Sequence, residues 1–399
     1  MSVRKRRWPD PVTGPNEKWV CDYKDGAGTR RMKTFKTKKA ADAFAATAHV
    51  EVREGVHIAD GASCTVREAS KLWIAARERA GRERSTIDAY QGHINYHIAP
   101  FLGDIRLTAL TVPGVRAFEE KLLDTGRSST MVRKVLVSLG SLLADAQERG
   151  LVARNVVRDL RGGRGSSDHR AQKRAKGRLK VGADIPMPSE IKALVGALEG
   201  RWRPVLITAI FTGMRASELR GLPWAAVNFE KRTIRVYQRA DRYGKIGPPK
   251  SESGEREIPM PPIVANTLKE WRLACPKGEL GLVFPNTKGG VEALSHLVHA
   301  GLEPAWMRAG VTVPSDKPSP SGESSMVPRY GGMHALRHFY ASWCINRRAD
   351  GGLELPAKIV QERLGHSSIT MTMDVYGHMF PRGDDGDEMA AAELALLGS

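Results

Sequence analysis

Within "SSTMVRKVLVSLGSLLADAQERG" (128–150), Val132, Val135, Leu136, Leu139, Leu142 and Leu143 recur at the three- and four-residue intervals that line one side of an α-helix. Three segments of similar texture precede it: "TVREASKLWIAARERAG", "STIDAYQGHINYHIAPFLG" and "TVPGVRAFEEKLLDTG". Each opens on Ser or Thr and closes on Gly, the residues that satisfy helix starts and ends. Thr65 and Glu68 have the spacing of a capping box. Residues 63–160 therefore predict a four-helix module.

The pattern differs on either side. Over 1–60, "KWVCDYK" and "RRMKTF" flank the turn residues "DGAGT", and Thr37 precedes an Ala-rich run. These predict a β-hairpin followed by a helix capped by Thr37. From Pro186 the texture is mixed, with helices over 188–200 and 203–221, a strand pair around "RTIRVYQ" and "EREIPM", and helices to the end. The Pro/Ser/Gly-rich 310–332 reads as a loop. In "GGMHALRHFYASWC" (331–344), His334, Arg337, His338 and Ala341 fall on one helical face, and Leu336, Phe339, Tyr340 and Trp343 on the opposite, packing face.

At 399 residues the chain exceeds one ordinary core, so two or three domains are expected. Its 62 Lys+Arg against 44 Asp+Glu leave a net charge of +18, which points to a polyanionic partner such as nucleic acid. The charge is placed: residues 1–39 hold 12 basic against 4 acidic side chains, and 161–180 hold 8 against 1. The Gly/Ser/Lys/Arg-rich stretch 161–185 reads as an exposed linker suited to a phosphate backbone. Lys24, Arg30, Arg31, Lys33 and Lys36 predict a cationic face on the N-terminal strands, and a sheet of this kind can enter a DNA groove. Cys21, Cys64, Cys275 and Cys344 lack the paired spacing of a zinc site or disulfide framework and read as reduced thiols. "MSVRKRRW" has no apolar run after it, and no segment approaches the ~20 apolar residues that span a bilayer, so a soluble cytoplasmic protein without membrane contact is expected.

Five pieces of the C-terminal half carry candidate chemistry. Arg215 in "TGMRASELRGL" follows Gly213 at a helix start, where Glu218 or backbone carbonyls can fix its guanidinium plane for a phosphate. Lys250 in "KIGPPKSESGEREIPM" lies on a turn between two strands. His334 and Arg337 share "HALRH", His366 follows Gly365 in "ERLGHSS", and Tyr376 comes ten residues after His366 in "ITMTMDVYGHMF". Alone, each also fits an ordinary role: an ion pair, a solvated turn, a cap, a core tyrosine.

In that order, Arg, Lys before a strand, "HALRH", "LGH" and Tyr, the five resemble the signature of the tyrosine recombinase, or phage integrase, family. The resemblance covers the C-terminal domain, roughly half the chain. It implies a multidomain, mostly α fold with small β elements: an arm-type DNA-binding unit over 1–60, a helical core-site binding domain over 63–160, the linker 161–185, and a mixed α+β catalytic domain over 186–399. It further implies Arg215 and Arg337 on the scissile phosphate, Lys250, His334 and His366 completing a cationic pocket, and Tyr376 as nucleophile. His338 is not one of the family's usual catalytic positions and is expected to be structural.

Those residue types suit the chemistry. Phosphodiester displacement adds negative charge on oxygen, which arginines stabilise without a metal or cofactor, and none is expected. A tyrosine hydroxyl, with an ordinary pKa of about 10, needs a base or nearby cations; His334 is the candidate base and Lys250 the candidate acid for the leaving 5′ oxygen. The expected function is site-specific integration or excision of a mobile element. The expected partners are double-stranded attachment-site DNA, three further copies in a homotetramer on DNA, and an accessory directionality factor. A type IB topoisomerase or a non-catalytic DNA-binding regulator are the alternatives. The Ala/Leu-rich tail "DEMAAAELALLGS" is expected to dock on a neighbouring subunit or on its own domain.

Overall fold

The computed structural model describes residues 1–8, 16–26, 28–55, 57–59, 61, 63–160, 179–315, 325–381 and 385–398. It divides into two compact units, Met1–Gln172 and Lys173–Ser399. Most of the basic linker, 161–178, lies outside the described residues. Among the described residues no helix is long and apolar enough to cross a membrane.

The first unit opens with an antiparallel sheet in the order β1 (Ser2–Trp8), β2 (Asn16–Lys24), β3 (Arg30–Phe35), followed by α1 (Lys38–Arg53). Strand β1 is an addition to the expected hairpin. Its run of basic residues hides any apolar alternation, and strand formation here rests on backbone pairing with β2 and on cross-strand ion pairs of Arg4 with Asp22 and of Lys5 and Arg7 with Glu17. The register also redraws the cationic face. Arg31 and Lys33 fall on the side where Tyr23 and Phe35 pack against Phe44 of α1, and the Lys33 ammonium lies 4.5 Å from the Phe44 ring centre. The opposite side presents Arg4, Arg6, Lys18, Lys24 and Arg30, all exposed, because side chains alternate strictly along a strand. The Thr37 hydroxyl accepts from the Ala40 amide and caps α1 as expected.

The helical module follows with α2 (Val66–Arg79), α3 (Arg84–His93), α4 (Val112–Asp124), α5 (Ser129–Glu148) and the short α6 (Val156–Leu160). The Thr65–Glu68 capping box forms, and Thr111 and Ser128 cap α4 and α5. Helix α3 starts one residue before Ser85, on Glu83, without a side-chain cap. Along α5 the expected stripe packs inward, Val135, Leu139, Leu142 and Leu143 being fully buried.

The second unit begins with α7 (Pro188–Ala197), α8 (Trp202–Thr212) and α9 (Ala216–Arg220). The expected single helix over 203–221 is thus two. Helix α8 ends at Gly213 in the left-handed conformation (φ 61°), which leaves Arg215 as N-cap of α9, in keeping with its reading at a helix start. Strands β4 (Val227–Asn228), β5 (Thr233–Val236), a two-stranded β6 (Arg239–Ala240) and β7 (Ile246–Gly247), and β8 (Arg256–Pro259) come next, β4, β5 and β8 forming one antiparallel sheet. Helix α10 (Pro262–Ala274) and a helical stretch over 294–308 complete the body. The segment 310–332, expected to be loop throughout, contains a short hairpin, β9 (Thr312–Pro314) with β10 (Met326–Pro328); residues 316–324 lie outside the described ones.

Then come α11 (His334–Ile345), α12 (Ala357–Leu364), α13 (Ile369–Tyr376) and α14 (Asp385–Leu397). Helix α11 is buried on more than its apolar face. Leu336, Phe339 and Tyr340 are in the core, but Arg337 and Ala341 on the other face are buried as well, Arg337 at 3% exposure. The reason is that Val360 and Leu364 of α12 and Tyr376 of α13 pack onto α11 from that side. In α14, Met389, Leu394, Leu396 and Leu397 are exposed, so the tail does not bury them on its own domain.

Candidate active site

Helix ends supply the framework. Helices α8 and α12 both finish in a glycine with positive φ, Gly213 and Gly365, and their last carbonyls point where no intrahelical amide can reach them. Two arginines satisfy these groups. Arg337 donates from Nη1 to the Gly213 carbonyl (2.7 Å) and from Nη2 to the Leu364 carbonyl, and Arg215 donates from Nη2 to the Gly365 carbonyl (2.8 Å). The negative ends of two helix dipoles thereby offset the cost of gathering two guanidinium groups. Burial, then the neighbouring Arg215, push the Arg337 pKa down from its usual range, but a guanidinium remains protonated at neutral pH.

Glu218 binds the set together. Its carboxylate, 2% exposed, accepts from the Arg215 amide (2.8 Å) and Arg215 Nη1 (2.8 Å), closing the turn it begins. Arg256 of β8 approaches from the other side with two bonds to the same carboxylate (2.9 and 3.1 Å) and donates from Nε to the Arg363 carbonyl (2.8 Å). Burial alone would raise the Glu218 pKa; Arg256 first, then Arg215, outweigh this and hold it at about 2. As expected from the sequence, Glu218 and a backbone carbonyl fix the Arg215 guanidinium. Its side chain stays one-third exposed, leaving an open edge toward solvent.

Histidines occupy the remaining walls. His366, 9% exposed, meets the Thr372 hydroxyl through Nδ1 (2.9 Å), and its carbonyl accepts from Gln361 (3.1 Å). Burial, followed by the charges of Arg337, Arg215 and Arg256, lowers its pKa to about 4, so it is a neutral hydrogen-bonding group. His334 stands at the first turn of α11, partly exposed, its ring 5.3 Å from that of His338; desolvation and then Arg337 and Arg215 disfavour its protonated form. Tyr376 ends α13 at 2% exposure, and burial raises its pKa to about 12 against the opposing pull of Arg337. Its ring lies parallel to that of His366, 4° between planes and 6.4 Å between centres.

Five of the six expected residues are thus carried by the start of α9, α11, the turn after α12 and the end of α13; α12 and α13 pack on α11, and Arg215 reaches the turn through the Gly365 carbonyl. Lys250 is exposed on the turn before β8, and that turn is tied to the site through the Gly254 carbonyl, which accepts from Arg256. Two features escaped the sequence. Arg256 reads there as one more polar residue of a strand, since its partner is 38 positions away. His338, expected to be structural, touches the tyrosine: its Nδ1 lies 2.7 Å from the Tyr376 hydroxyl, a contact that the expected base His334 does not make. Its place one residue after Arg337 was the only hint.

Sequence and structure comparisons bear on the family of the chain. The phage integrase family profile matches residues 187–382, and the profile of the phage integrase N-terminal SAM-like domain matches 65–123. A tyrosine recombinase XerC-like protein of Caldanaerobacter subterraneus subsp. tengcongensis is 26% identical over 373 residues, 87% of either chain. The ICEBs1 integrase of Bacillus subtilis is 22% identical over 305 residues, 72% of each chain. Among solved structures, the Tn1549 transposon integrase in complex with circular intermediate DNA superposes with a TM-score of 0.59 at 19% identity, covering 83% of this chain and 99% of that one. A lambda integrase tetramer bound to a Holliday junction gives 0.54 at 16%, covering 91% and 96%. With the profile covering the unit that holds the arginines, histidines and tyrosine, and the SAM-like match falling on the helical module before it, this chain belongs to the tyrosine recombinase, or phage integrase, family.

Proposed function

We propose that this chain is the site-specific recombinase of a mobile element, cutting and rejoining double-stranded DNA through a bond between Tyr376 and a 3′ phosphate. The observation that carries it is the convergence of Arg215, Arg337 and His366 on the place where Tyr376 is held. Arg337 is fixed by two carbonyls and Arg215 by Glu218 and a third, so both guanidinium groups are oriented before a phosphate arrives. Such preorganised charge stabilises the extra negative charge of the pentacoordinate transition state. His366 and His334 add neutral hydrogen-bonding groups, and Lys250, on its exposed turn, protonates the leaving oxygen.

In the step itself the Tyr376 oxygen forms a bond to phosphorus, the bond from phosphorus to the 5′ oxygen breaks, the phenolic proton leaves to a base and the 5′ oxygen takes a proton from Lys250. The phosphotyrosyl bond keeps the energy of the phosphodiester, so a 5′ hydroxyl of another duplex reverses the reaction and rejoins strands without ATP. The exposed cationic face of the β1–β3 sheet serves arm-type DNA, and the helical module serves the core site. Helix α14, with its exposed Leu394, Leu396 and Leu397, joins neighbouring copies in a tetramer on DNA, and an accessory factor sets direction.

Nicked duplexes tiled from the sequence flanking the protein's own gene test this. The wild-type chain should yield a protein–DNA adduct on a denaturing gel and Tyr376→Phe should bind equally well without one. An adduct with both proteins would remove Tyr376 from its role. Relaxation of supercoiled DNA lacking any particular site would favour the topoisomerase.

A further inference from the structure

We infer that His338 is the positioning residue of the nucleophile: its Nδ1 accepts the hydrogen bond of the Tyr376 hydroxyl and sets where that oxygen stands relative to the two arginines. The contact is 2.7 Å, with the rings 5.8 Å apart and inclined at 59°. At 2% exposure the hydroxyl has little access to water, and a buried O–H left without an acceptor costs roughly 1–3 kcal/mol. His338 follows Arg337 directly on α11. The residue that holds the hydroxyl and the residue that grips the phosphate are therefore part of one helix, and Arg337 is pinned on two carbonyls. The nucleophile is referenced to its target through a single rigid element, while the parallel His366 ring restrains the plane of the phenol.

The charge state agrees with an acceptor role. Burial, then His334 and Arg337, keep His338 neutral with a pKa of about 4, so one ring nitrogen carries a lone pair at neutral pH, and in the tautomer protonated on Nε2 that nitrogen is Nδ1. A residue that merely filled space here would have no need of a ring nitrogen. This assignment rests on the recombinase reading for its functional meaning, but the contact itself does not.

Two measurements on the full chain test it. In the DNA-free protein, nitrogen-15 resonances of the histidine rings should show His338 protonated on Nε2, and Tyr376→Phe should move its Nδ1 signal toward that of an unbonded ring nitrogen; no movement overturns the contact. On nicked duplexes, His338→Leu should bind DNA as wild type but form the adduct about 100-fold more slowly, the scale of loss when a reacting group is misplaced. His338→Asn puts its side-chain oxygen where Nδ1 stands and should recover most of the rate, whereas His338→Gln, which reaches the Nε2 position instead, should stay as slow as the leucine variant. A leucine variant at wild-type rate, or asparagine and glutamine equally slow, would leave His338 only a packing role. If wild type forms no adduct on any duplex while the Nδ1 signal responds to Tyr376→Phe, the recombinase reading fails and the positioning contact stands.

Discussion

Replacing Arg256 by Met removes one partner of a buried charge without removing its volume. In the native chain Glu218 is held at about 2 against an ordinary 4.5, a difference worth about 3 kcal/mol of stability. The sign follows from which state binds the proton more readily. The native carboxylate is the weaker proton acceptor, so its contribution is fully present above about pH 4.5 and is lost as the pH falls toward about 2. In Arg256→Met only Arg215 faces the carboxylate, and burial, the largest influence on Glu218, then goes mostly unopposed. Breaking a buried pair by removing one member costs about 3–5 kcal/mol, the same scale by an independent route. Urea denaturation followed by circular dichroism between pH 3 and 7 should show the variant less stable by about 3 kcal/mol at pH 7. The gap should narrow as the pH falls from neutrality toward 3, because the buried carboxylate left without Arg256 protonates more readily and a protonated Glu218 no longer needs the missing cation. Glu218→Gln in the same background should recover part of the loss. A gap that stays constant with pH, or is under about 1 kcal/mol at neutrality, would show that the pair does not carry the stability assigned to it.

Two further outcomes follow from other parts of the chain. Gly213→Ala adds a Cβ 2.3 Å from the Tyr340 ring at a φ of 61°, so strain and overpacking together should cost about 2–4 kcal/mol by thermal unfolding and, by moving the carbonyl that holds Arg337, reduce adduct formation more than DNA binding. Gly351→Ala, at φ 76° with nothing within 4 Å of the new methyl, should cost only about 1 kcal/mol; equal losses at the two sites would refute the packing part of the argument. Replacing Arg6, Lys18 and Lys24 by Gln on the outer face of the β1–β3 sheet should weaken arm-DNA binding and lower the slope of log affinity against log salt by up to about 0.9 per side chain. An unchanged slope would place the DNA elsewhere on this unit.

Local rules were enough for much of this molecule. Apolar spacing defined the four helices of 63–160 and side-chain caps at Thr65, Thr111 and Ser128 defined the starts of three, because a helix stripe and its capping side chains are set within a few residues of each other. The order of Arg215, Lys250, His334, Arg337, His366 and Tyr376 was legible for the same reason that the family is: each motif is short and keeps its neighbours. Where the sequence misled, the deciding partner was distant. The charges of β1 become a strand only against β2, Arg31 and Lys33 turn inward because of the sheet's register, and Arg337 is buried because α12 and α13 close over a helix face that reads as polar. Glu218 meets Arg256 across 38 positions, and His338 meets Tyr376 across the same interval. Residue type and spacing determined what chemistry the chain can carry; packing decided which side chain meets the Tyr376 hydroxyl, since a hydrogen bond depends on ångströms in space and sequence records only separation along the chain.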